Sequence, residues 1–105
     1  MTDKILKIAD ENPNGFTITL DFEIPTTGFV VAMKETQNSF GIAGLEKVIE
    51  YAKKHKMCIG GWKEKNQYYF DASKIYTDKN QAIKVGIENE QIAIYDLDNQ
   101  DVIYL

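Results

Sequence analysis

The chain has 105 residues, of which 44% are hydrophobic and 27% charged, with a formal net charge of −4. These proportions suit one globular domain over residues 1–105, which the order of elements below makes α+β, and exclude intrinsic disorder, and the length allows a core that needs no staples. Cys58 is the only cysteine, so no internal disulfide forms, and no apolar run approaches the ~20 residues that span a bilayer.

In chain order, "TDKILKIADE" places Ile5, Leu6, Ile8 and Ala9 on one side of a short first helix. Thr2 or Asp3 is the expected cap, and Pro13, Asn14 and Gly15 stop the helix. "FTITLDF" follows, with Phe16, Ile18, Leu20 and Phe22 alternating with polar residues. This is the clearest period-2 strand in the chain, and "FVVAMK" is its expected hairpin partner across the Ile24–Gly28 turn. A long polar connection, "KETQNSFG", leads to a helix through "LEKVIEYAKKHK", with Leu45, Val48, Ile49 and Ala52 on its apolar stripe. Ser39 is the expected cap of that helix. "CIGGWKE" and "QYYFDAS" then read as a second hairpin. Asp78 and Gln81 open a third helix over "KNQAIKVGIEN", in which Gly86 marks a close approach and Asn89 a left-handed end. "QIAIYDL" and "DVIYL" make a last hairpin, the latter an exposed edge able to pair with a second copy. The predicted order is α-ββ-α-ββ-α-ββ: a largely antiparallel sheet with helices on one face.

The middle hairpin fixes a register. A two-residue turn at Lys65-Asn66 pairs Trp62 with Tyr69, Gly61 with Phe70, and Gly60 with Asp71. Because side chains alternate between faces, Ile59, Gly61, Phe70 and Ala72 share one face. That is a core face, with Phe70 covering the bare backbone of Gly61. Cys58, Gly60, Trp62, Tyr69, Asp71 and Ser73 share the other face. If helices cover only one side of the sheet, this second face is open, and tryptophan and tyrosine are the residue types that anchor binding surfaces. The competing expectation is a second small core over Trp62, closed by the first helix or by the 34–44 connection. Gln37 and Asn38, in the long polar connection, join Trp62, Tyr69 and Asp71 as candidate binding residues.

No catalytic constellation is present. Gly60-Gly61 leads into a strand rather than a helix, so it is no phosphate cradle. His55 is the only histidine, and no metal-binding spacing accompanies it. A Cys58–His55 pair lacks an orienting residue and an oxyanion hole, and Cys58 reads as a small buried side chain. Asp96, Asp98 and Asp101 surround the last turn, where aspartate bonds the local backbone. No metal site and no cofactor are expected.

All twelve basic residues are lysine. The lack of arginine removes the fork that reads guanine and grips phosphate, which argues against specific nucleic-acid recognition. Nine lysines and five acids fall in residues 44–87, whereas residues 88–105 carry five acids and no base. The opening "MTDKILKIADENP" mixes charge into its apolar residues, unlike a signal peptide. With a single cysteine and no membrane span, the expected location is the cytoplasm.

"TGFVVAMKETQNSFG", "IGGWKEKNQYYFDASKIYTDKNQAI" and "NEQIAIYDLDN" together resemble small uncharacterised proteins and accessory domains encoded by phages and conjugative elements of gut and other low-GC bacteria. The resemblance covers residues 16–105. It carries no catalytic residues over and implies a context only, that of an accessory protein of a mobile element with a protein partner. The expectation is therefore a non-enzymatic binding protein, a monomer or weak homodimer that does not engage membranes. The alternatives are an acidic DNA mimic that inhibits a host defence nuclease, and a small-molecule or nucleotide-binding enzyme that uses the Trp62, Tyr69 and Asp71 face.

Overall fold

The computed structural model describes residues 1–105 and has the α+β architecture expected from the sequence. Helix α1 spans Thr2–Glu11, α2 Gly41–His55 and α3 Lys79–Glu88. The strands are β1 (Phe16–Ile18), β2 (Phe29–Ala32), β3 (Ser39–Phe40), β4 (Cys58–Glu64), β5 (Gln67–Tyr76), β6 (Ala93–Asp96) and β7 (Asp101–Tyr104). They form one antiparallel sheet in the order β1-β4-β5-β2-β6-β7, with β3 also beside β5. No helix is long and apolar enough to cross a membrane.

Two of the three expected hairpins form. β4 and β5 pair as read, from Cys58 opposite Ser73 to Glu64 opposite Gln67. Their turn at Lys65 and Asn66 has φ of 50° and 67°, the left-handed pair that matches strand twist. β6 and β7 form the last hairpin, and β7 is an edge of the sheet. The first hairpin is not made. β1 pairs with β4 and β2 with β5 and β6, so the middle hairpin separates the two strands. The strand also ends early, at Ile18. Thr19 Oγ1 accepts from the backbone N–H groups of Asp21 and Glu23, which draws the chain into a turn with Phe22 at φ 62°. Leu20 and Phe22 still pack against the core from that turn. The alternation thus picked out the side chains that pack on the core but not the strand length.

The three helices lie on one side of the sheet. Eleven buried residues make the main core, in which Ile5 and Ala9 of α1 and Leu45, Val48, Ile49 and Ala52 of α2 meet Ile59, Phe70 and Ala72 of the hairpin. Under α3, Ala82 meets Val31 and Ile94 in a smaller core. The registers of Val31 with Lys74 and of Phe29 with Tyr76 place that core on the same side as Phe70 and Ala72. Gly86 does permit a close approach, since a Cβ there would lie 2.7 Å from Leu105 and 2.9 Å from Ile94.

The helix ends differ in detail from expectation. α1 has no side-chain cap, and neither Thr2 nor Asp3 serves as one. Asp78 caps α3, accepting from the N–H of Gln81 at 3.0 Å. The left-handed residue after α3 is Glu90 (φ 59°), because Asn89 instead sends its amide to the carbonyl of Ala32. Ser39 does not cap α2; it pairs with Phe70 in β3, and its buried hydroxyl has no partner. Between β2 and β3 the chain bulges away from β5 through a short 3-10 turn at Lys34–Thr36. Thr36 Oγ1 closes the gap by accepting from the N–H of Ala72 at 3.0 Å.

Candidate functional site

No helix lies on the opposite side of the sheet; the chain around Ile24 and Pro25 walls it in part, and Val30 and Ser73 are buried there. The registers place Trp62, Tyr69, Asp71 and Ser73 there, together with Phe40, which lies opposite Tyr69. Val30, Tyr95 and Val102 continue the same face across β2, β6 and β7. The 34–44 connection does not close over Trp62. It adds a two-residue strand to β5 instead, and Trp62 keeps 37% of its surface exposed. Trp62 stacks on Tyr69 with ring centroids 5.6 Å apart and planes 13° apart, and Phe40 meets Tyr69 edge-on at 5.9 Å. These are the edge-on and stacked geometries that aromatic pairs prefer, and they line the three rings up as one row on the face.

A groove runs beside this row. One lobe, about 910 Å³, extends from Gly60, Asp71 and Ser73 to Tyr95, Val102 and Tyr104, with Ile24 and Pro25 on its wall. The other, about 470 Å³, lies where β2 bulges away from β5, and Gln37 and Asn38 line it. Trp62 and Asp71 line both lobes, which makes them one groove. All five residues singled out from the sequence, Trp62, Tyr69, Asp71, Gln37 and Asn38, therefore line the smaller lobe. Gln37 has a structural duty as well, since its Nε2 donates to the carbonyls of Asn89 and Glu90 at 3.4 Å. Asn38 holds a left-handed turn at φ 58°.

Asp71 sits at the junction of the lobes. Gly60 lies opposite it, and a Cβ there would stand 2.7 Å from its Oδ1. The bare strand is what lets the carboxyl lie down on the sheet. Oδ1 accepts a hydrogen bond from Ser73 Oγ at 2.7 Å, while Oδ2 has no protein partner. Loss of hydration raises the carboxyl to a pKa of about 6, against a smaller downward pull from Ser73. The side chain remains only half-buried, so this acid is desolvated yet reachable from the groove.

The other candidate groups are placed apart. His55 is exposed and lies against the ring of Tyr51 at 4.3 Å. Burial pushes the Cys58 thiol up, away from thiolate. Asp96 accepts from the backbone and side-chain N–H of Asn99, and the side-chain amide holds its carboxyl below the usual range. Asp98 accepts from the N–H of Gly28, joining the Ile24–Gly28 turn to the end of β6. No group of three or more His, Cys, Asp or Glu side chains is placed to hold a metal ion.

Sequence reasoning missed Phe40, Tyr95 and Asp98. Phe40 stands next to a helix start and reads as part of its first turn. Tyr95 was legible in principle, since it alternates with Ile94 in a strand whose two faces the hairpin pattern allows to be assigned. Comparison with protein-family models, curated proteins and solved structures finds no match.

Proposed function

We propose that this is a binding domain without catalytic activity, which holds a segment of a protein partner along the open face of its sheet. The observation that carries the reading is the unroofed aromatic row, Phe40, Tyr69 and Trp62, beside a continuous groove. Rigid aromatic side chains supply contact area at little entropic cost, and they dominate interface energetics.

Selection of peptides from a random twelve-residue phage-displayed library tests this reading. Wild-type protein should enrich peptides that no longer bind the Trp62→Ala and Tyr69→Ala variants. Failure to enrich any peptide, or peptides that bind all three proteins equally, would contradict it.

A second reading, a small-molecule binder, draws on the half-buried Asp71 carboxyl that lines the groove together with Trp62. A thermal-shift screen of nucleotides and small amines addresses it. That reading requires stabilisation of the wild type that Asp71→Asn abolishes.

A further inference from the structure

The charges in the groove are of one sign. Asp71 and Asp98 are the only charged residues lining the larger lobe, and Glu64, Asp71 and Glu90 the only ones lining the smaller. No lysine lines either lobe, although the chain has twelve. Glu90 is paired on its outer side with Lys34 at 2.7 Å, and Asp98 with the N–H of Gly28. Asp71 differs from both in its burial: it lies half-buried on the sheet, with one oxygen on Ser73 Oγ and no lysine paired with it, whereas Glu90 and Asp98 are exposed. A carboxyl held on a sheet floor, with a free oxygen and a tryptophan wall, matches a guanidinium or ammonium group. The carboxylate supplies the ion pair and the ring face supplies cation–π attraction.

Resting on the binding reading above, we infer that the occupant of the groove is an extended polypeptide segment bearing arginine or lysine, with its cationic head at Asp71 against Trp62. The two lobes that meet at Asp71 suit a chain passing through the groove, with a side chain inserted at the junction. Together they exceed what one compact small ligand fills. A second copy of this chain fits poorly, because face-to-face pairing would bring together two grooves whose charged linings are acidic throughout, and like charges across an interface oppose docking.

The peptides selected above provide the test, made as free fluorescein-labelled peptides and read by anisotropy. They should be enriched in arginine or lysine. Replacing the key arginine by citrulline, its neutral isostere, should weaken binding roughly thirtyfold or more, the lower bound for truncating one partner of a desolvated charge pair. Asp71→Asn should produce the same loss, with an unchanged circular dichroism spectrum. Affinity should also fall as pH drops through about 6, where a proton takes the place of the cation, and this fall should vanish in Asp71→Asn. Asp98 from the β6–β7 turn, Glu64 from β4 and Glu90 from the segment after α3 face the same space, so a pH effect that survives in Asp71→Asn belongs to them and overturns the assignment to Asp71. Neutral or acidic peptides that still depend on Trp62 would overturn the inference and leave the binding reading standing. Agmatine binding as tightly as the peptides would overturn the polypeptide in favour of a small cation. Absence of any Trp62-dependent peptide would remove both.

Discussion

The two sides of the β4–β5 hairpin are built from alternating residues of the same strands, yet they serve opposite ends. On the covered side, Phe70 is 1% exposed and packs among Ile59, Leu45 and Val48. On the open side, one residue away, Tyr69 stacks against Trp62 and borders a groove. The glycines divide in the same way. Gly61 makes room for the rings of Phe16 and Phe70, whereas Gly60 makes room for the carboxyl of Asp71. One face spends its bare backbone on packing. The other uses it to seat a carboxyl that is held away from water. A desolvated acid in a groove is a usual mark of a site rather than of a scaffold.

This contrast can be broken by substitution. The largest effect is expected for Phe70→Ala, which should destabilise the protein by about 3–5 kcal/mol in urea denaturation, the usual cost of emptying a buried aromatic position. Asp71→Asn should act in the opposite direction. Its folded-state pKa of about 6 lies above the ordinary aspartate value of 3.8, so protons bind more tightly to the folded form. Stability linked to this group is therefore fully present below about pH 4 and lost as pH rises through about 6. The Asn variant should be the more stable above pH 6, by at most about 3 kcal/mol, reduced by the partial exposure of the side chain. The difference between the two proteins, measured by denaturation at several pH values, should close toward pH 4. Equal stabilities at pH 5 and pH 8 would show that Asp71 is not desolvated.

Gly61→Ala comes next. Its Cβ would stand 2.6 Å from the Phe16 ring and 3.0 Å from Phe70, which predicts a loss of about 1–3 kcal/mol from overpacking. The smallest stability change is expected for Trp62→Ala, about 0.5–1.5 kcal/mol for the lost stack on Tyr69, with binding lost all the same. Trp62 is the only tryptophan, so acrylamide should quench the fluorescence of the free protein and do so less once a peptide is bound. A blue-shifted emission that resists quencher in the free protein would mean that the face is covered.

How far the sequence could be read follows from the range of the interactions involved. The β4–β5 register was legible because a two-residue turn and an aromatic residue opposite a glycine are local signals. The grouping of Trp62, Tyr69 and Asp71 on one face followed from that register. The partner of β1 was not legible. Phe16–Ile18 carries the alternation of any half-buried strand, and nothing in it distinguishes β4 from β2. The Thr19 turn competes with the strand through a single hydroxyl, which the hydrophobic pattern does not report. The bulge between β2 and β3 was hidden for the same reason, since it depends on Thr36 reaching the N–H of Ala72, thirty-six residues away. That bulge opens the smaller lobe and brings Gln37 and Asn38 to Trp62. The sequence therefore suggested the members of the site, and a long-range hydrogen bond brought them together.

Amide chemical-shift mapping of a selected peptide onto the isotopically labelled protein tests the central claim most directly. A peptide held on the open face of the sheet should perturb Phe40, Trp62, Tyr69, Asp71 and Tyr95 and leave α1 and the outward side of α2 unchanged. Perturbations concentrated on the helices, with the Trp62 and Asp71 amides still, would contradict it.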